Sequence, residues 1–87
     1  MYKLHLTSKA QRKLSLIPKI YKSSIANVFD EICDEPFLGK PLGRKFEGFF
    51  SIRIGVYRIV YKVNRKDKLV TIVTAGHRSS VYVNDES

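Results

Sequence analysis

The stretch Phe49-Phe50-Ser51-Ile52-Arg53-Ile54-Gly55-Val56-Tyr57-Arg58-Ile59-Val60-Tyr61-Lys62-Val63 leaves the chain few ways to fold. Apolar and polar residues alternate on both sides of Gly55, the period of a half-buried strand. Gly55-Val56 is a Gly-X pair suited to a type II′ hairpin turn, because glycine accepts φ > 0 at the first central position. A two-residue turn there sets Ile54 opposite Tyr57 and Arg53 opposite Arg58. Phe50, Ile52, Ile54, Tyr57, Ile59 and Tyr61 then share one face. Phe49, Ser51, Arg53, Val56, Arg58, Val60 and Lys62 share the other.

Two arginines directly opposite each other on one sheet face repel, so the pair works against folding. It makes sense where an anion sits between the guanidinium groups, because arginine offers bidentate donors to phosphate. The plainer alternative is two solvated arginines on an exposed face, the ordinary place for the residue. The charge of the whole chain bears on the choice. Its formal net charge of +8 is high for 87 residues, and such a field attracts nucleic acid or an acidic protein.

That length makes one domain, spanning 1–87, with a small core. A single cysteine excludes an internal disulfide and fits a reducing compartment. No apolar run approaches membrane-spanning length, and the start Met1-Tyr2-Lys3-Leu4-His5-Leu6 lacks the apolar stretch of a signal peptide. The expectation is a cytoplasmic protein.

Tyr2, Leu4 and Leu6 alternate with Lys3 and His5, which predicts a short first strand. Thr7 or Ser8 can cap a helix over Lys9 to Leu14, and Ile17-Pro18 breaks it. In the next helix Tyr21, Ile25, Val28, Phe29 and Ile32 form one apolar stripe, and Pro36 ends it. The tight connection makes the two helices a hairpin. Asp30, Glu31, Asp34 and Glu35 crowd the end of the second helix, against its dipole. They read as solvated charges or partners of nearby lysines. Phe37 to Gly48 has the glycines and prolines of a basic loop. Asn64-Arg65-Lys66-Asp67 makes a second turn, with Val63 opposite Lys68, and Leu69 to Ala75 is a third meander strand. The fold class is α+β: an N-terminal strand, a helical hairpin, then a three-stranded antiparallel meander in one sheet.

One cysteine and two distant histidines offer no metal-ligand set, and no cofactor is expected. Cys33 falls beside the apolar stripe and reads as core. What remains is Arg53, Arg58, His77, Arg78 and Tyr82. RNA cleavage through the 2′-hydroxyl needs a base, cations to stabilise the charged phosphorane and an acid for the leaving 5′-oxygen. Arginines suit the second task, and His77 or Tyr82 the others. A surface imidazole and a tail aromatic packed on the sheet are the plain alternatives for those two.

Gly48 to Tyr61 resembles the hairpin of the RelE/ParE toxin superfamily, and Gly76-His77-Arg78-Ser79-Ser80-Val81-Tyr82 resembles the terminal motif of its RelE-like branch. The resemblance spans essentially the whole chain. It implies a toxin of a type II toxin–antitoxin pair, an mRNA interferase that enters the ribosomal A site and cuts mRNA without a metal. The products would be a 2′,3′-cyclic phosphate and a 5′-hydroxyl. By position, Arg58 and Arg78 match phosphate-stabilising arginines, Tyr82 the catalytic tyrosine, and Arg53 a basic strand residue. His77 stands where several relatives carry a catalytic or orienting histidine. The best-known pattern has two lysines where this chain has Ser51 and Arg53. Arginine stays protonated and is a poor base, which leaves that task to His77 or Tyr82. Arg44, Lys45, Ser51 and Lys62 are further RNA-binding candidates. The implied partners are ribosome, mRNA and a cognate antitoxin through which an oligomer forms, with no membrane. The alternatives are a ParE-type DNA gyrase poison on the same fold and a non-toxic RNA-binding domain.

Overall fold

The computed structural model describes residues 1–43 and 48–77. Along the chain come β1 (Lys3–Leu6), α1 (Ser8–Leu14), a 3-10 turn (Lys19–Tyr21) and α2 (Lys22–Asp34). β2 (Lys40–Pro41), β3 (Phe49–Ile54), β4 (Tyr57–Asn64) and β5 (Leu69–His77) follow. They make one sheet in the order β1-β5-β4-β3-β2. β1 runs parallel to β5, and the other neighbours are antiparallel.

The β3–β4 hairpin has the register that its alternation requires, with Ile54 opposite Tyr57 and Arg53 opposite Arg58. Gly55 turns it with φ 62°, where a side chain would be strained. A Cβ on Gly55 would also stand 3.0 Å from the Tyr21 ring. That ring meets Tyr57 edge-on at 5.1 Å, so the bare turn seats the start of α2.

The apolar face carries the core. Ile54, Ile59, Tyr61, Val70, Ile72 and Ala75 pack with Ala10, Ile17 and Ile32. The expected α2 stripe is there: Ile32 is fully buried in the core, and Tyr21, Ile25, Val28 and Phe29 are partly buried against that core. Asp30, Glu31, Asp34 and Glu35 lie exposed at the end of that helix. Pro18 starts the 3-10 turn that leads into α2.

Three features depart from the sequence-based expectation. Lys40–Pro41 is a short edge strand inside what reads as a loop, because two residues carry no alternation and proline suits only an edge. The β4–β5 turn is longer than expected: Val63 faces Val70 and Asn64 faces Leu69. The Asn64 side chain organises it, accepting from the Asp67 N–H at 3.0 Å and donating to the Asp67 carboxylate at 3.1 Å. This two-residue shift keeps parity, so Val70 and Ile72 still face the core.

The third departure is a bulge. Tyr61 faces Ile72 but Val60 faces Thr74, leaving Val73 as an extra residue in β5. One extra residue reverses the faces of everything beyond it. Ala75 thereby joins the core beside Ile59, and Gly76 comes to lie beside Arg58.

Thr7 ties the bulge to α1. Its hydroxyl accepts from the Ala10 N–H at 3.0 Å as the helix N-cap, and it reaches the carbonyls of Val73 at 3.0 Å and Ile72 at 3.2 Å as donor. Thr7→Val keeps the shape and removes both roles. Urea denaturation should show a loss of about 1–2 kcal/mol, with Thr7→Ser recovering most of it.

Candidate active site

Residues paired across neighbouring strands project to the same face, so register alone lays out the sheet surface away from the core. One row is Arg53, Arg58 and Gly76; the next is Lys40, Ser51, Val60 and Thr74; a third is Phe49, Lys62 and Thr71. Val60, Thr74 and Ser51 are buried although they turn away from the core cluster, so this face has a packed floor. Above it opens a cleft of about 380 Å³ walled by Leu38, Gly39, Lys40, Ser51, Arg53 and Arg58.

Arg58 is half-buried, and its Nε has no hydrogen-bond partner among the described residues although it is shut off from solvent. An orphaned buried donor costs about 1–3 kcal/mol, more when it is charged. The guanidinium lines the cleft, where its charge would draw an oxyanion. Gly76, opposite Arg58 on β5, presents no side chain there, and exposed Arg53 stands opposite on β3. The arrangement is chemically a site for a phosphate-like anion.

The far wall hangs from the core. The buried Tyr61 hydroxyl donates to the Pro36 carbonyl at 2.8 Å and accepts from the Gly39 N–H at 2.9 Å. Burial pushes the Tyr61 phenol above its usual range, and the Gly39 N–H partly opposes this. Gly39 has no room for a side chain: a Cβ would lie 2.6 Å from that hydroxyl and 2.8 Å from the Ser51 carbonyl. From there the chain enters β2, which sets Lys40 opposite Ser51. Lys40 was missed as a site residue in the sequence because a two-residue strand leaves no periodic mark.

Arg53, Arg58 and Ser51 are brought together, with Ser51 in the floor rather than reaching out. Lys62 is exposed one row away, its ammonium 5.5 Å from the centre of the Phe49 ring. His77 does not join the arginines. The bulge places it opposite Tyr57, against whose ring it packs edge-on at 6.0 Å, on the opposite face from Arg53 and Arg58. Simple alternation from Ile72 would have put it in the cleft. Arg78 and Tyr82, like Arg44 and Lys45, lie outside the described residues. Cys33, in the last turn of α2, is buried as expected. Burial raises its thiol pKa first, with the Asp30 and Asp34 carboxylates adding to it, which disfavours a reactive thiolate.

The opposed arginines should register as a stability defect. Arg53→Thr relieves the repulsion and suits a strand, so at low salt the protein should gain about 0.5 kcal/mol in urea denaturation. The gain should shrink in high salt, where the charges are screened.

Comparison with known proteins gives this geometry a context. Residues 4–82 match the family described as the ParE toxin of type II toxin–antitoxin systems, parDE. Over 83 residues the chain is 35% identical to toxin RelG of Mycobacterium tuberculosis, spanning 93% of this chain and 95% of that one. Toxin RelE of the same organism is 36% identical over 83 residues, spanning 93% and 86%. Among solved structures, the toxin–antitoxin complex RelBE2 of M. tuberculosis contains a chain that superposes with a TM-score of 0.77 at 34% identity, over 88% of this chain and 98% of that one. The isolated RelE toxin of E. coli shares the fold with a TM-score of 0.79 at 19% identity, over 99% and 94%.

Proposed function

The chain belongs to the RelE/ParE family of type II toxin–antitoxin toxins, and from that premise we propose that it is an endoribonuclease that cuts mRNA in the ribosomal A site. The observation that carries this reading is the orphaned Nε of Arg58, buried beside an open cleft and faced by a second arginine. A phosphodiester between the two guanidinium groups neutralises the opposed charges. The names of the two mycobacterial relatives, toxins RelG and RelE, support the nuclease branch.

In the reaction the 2′-hydroxyl oxygen attacks the adjacent phosphorus and the bond to the 5′-oxygen breaks. This yields a 2′,3′-cyclic phosphate and a 5′-hydroxyl. Arg58 and Arg53, with Arg78 matched through the terminal motif, hold the phosphate oxygens as negative charge accumulates. Tyr82, matched through the same motif, takes the proton of the 2′-hydroxyl, and water protonates the departing 5′-oxygen. No metal is needed for these steps. His77, set on the other face by the bulge, takes no part. Arg44, Lys45 and Lys62 add positive charge that favours the RNA backbone.

The cytoplasmic ribosome and its message are the proposed target. The proposed partner is an antitoxin, as in the RelBE complexes of relatives. An acidic and apolar segment that folds on binding would mask the basic cleft and link toxins into an oligomer.

Message cleavage on programmed ribosomes tests the reading. Wild type should cut only with ribosomes present and leave the cyclic phosphate. Arg58→Ala and Tyr82→Phe should each slow cutting by about 100-fold or more, whereas His77→Ala should stay within about threefold, as expected of a group off the reaction path. Intact message together with inhibited gyrase supercoiling would instead make the protein a gyrase poison.

A further inference from the structure

We propose that Lys40 is a phosphate-binding residue of the cleft and that Tyr61 is its positioning residue, acting through the Pro36–Lys40 strap. The inference rests on the nuclease reading and adds a subsite to it.

Three observations place Lys40. It pairs with Ser51 across β2 and β3, so its side chain shares the arginine face. It lines the same cleft as Arg53 and Arg58 and is exposed. It stands one strand over from Arg53 and two residues along, roughly 5 Å across and 7 Å lengthwise at the Cα atoms. A lysine at that offset reaches a different phosphate from the one between the arginines. The cleft thereby holds a length of backbone rather than a single anion.

A two-residue strand holds almost nothing by itself, so something else must fix Lys40. The Tyr61 hydroxyl does so, bonding Pro36 and Gly39 on the residues that lead into β2. Tyr61 is fully buried and stacks on Phe50 with centroids 5.6 Å apart. Phe50 in turn meets Phe37 edge-on at 5.5 Å within the strap. The wall bearing Lys40 is therefore fastened to the core at Pro36, Phe37 and Gly39. An edge-strand lysine also deters pairing with other chains, but that role would leave RNA binding untouched.

The test uses the full chain and two readouts. The first is cleavage on programmed ribosomes, followed as a function of toxin and message concentration. Lys40→Ala should raise KM by about tenfold with kcat within about twofold, the pattern of a lost binding contact, and Lys40→Arg should restore it. The second is binding of a short single-stranded RNA carrying a 2′-deoxy at the scissile position, across a salt series. Lys40→Ala should reduce the slope of log K against log salt by about 0.7, the loss of one phosphate contact. Tyr61→Phe should reproduce both changes and add little to Lys40→Ala in the double variant. Phe37→Ala, which removes a half-exposed ring that pins the strap to Phe50, gives a second perturbation should Tyr61→Phe fail to fold. Wild-type KM and slope in Lys40→Ala would overturn the proposal, and fully additive effects would remove Tyr61 from it. Wild type that leaves message intact but binds RNA through Lys40 would overturn the nuclease reading while the subsite stands.

Discussion

The extra residue at Val73 decides which side chains meet on each face of the sheet. Before it, β5 offers Val70 and Ile72 to the core; after it, Ala75 takes the core position and Gly76 the place beside Arg58. Without the bulge, Ala75 would stand beside Arg58 and a histidine would follow on the cleft face. A bulge leaves unpaired backbone groups, and here the Thr7 hydroxyl reaches the freed carbonyl while capping α1. The first helix, the parallel strand β1 and the parity of the last strand thus meet at one side chain.

The cleft departs from rules that most of the fold keeps. Its arginines oppose each other, one has a buried nitrogen without a partner among the described residues, and a lysine joins them along the edge. Elsewhere the apolar stripe faces the core, the acids of α2 face solvent and glycine makes the β3–β4 turn, with left-handed Lys68 and exposed Leu16 and Ile20 as exceptions. Departures of this kind collect where a ligand supplies the missing half of an interaction. In a domain of this size such defects are a large share of the total stability.

Much of this was legible in the sequence, and the limits have physical causes. The hairpin register was readable because a two-residue turn leaves only one pairing, and the α2 stripe because it repeats over several turns. The opposition of Arg53 and Arg58 followed from the same turn. The bulge was not readable: Thr71 to Ala75 is apolar or small on both parities, so nothing in the run marks Val73 as extra. The face of His77, which turns on that bulge, was therefore not readable either. β2 was hidden by its brevity and by Pro41, and with it Lys40. The Tyr61 hydroxyl could be counted as buried from the pattern, but its partners at Pro36 and Gly39 are more than twenty residues away. Such contacts become visible only once the chain has closed.

Charge links folding to partnership. A field of +8 on 87 residues draws in a polyanion, and the same field opposes the compact state through self-repulsion. An acidic partner seated over the cleft would relieve both the general repulsion and the specific opposition of Arg53 and Arg58. It would bind the folded chain alone, so its affinity would add directly to stability. RNA in the cleft would relieve the same charges by the same physics, which would make the two occupants competitors for one electrostatic deficit rather than ligands of separate sites. Whichever offers more negative charge in the geometry of the cleft holds it. A protein segment can add apolar contacts that a nucleic acid backbone cannot, and that difference allows the partner to win until it is removed.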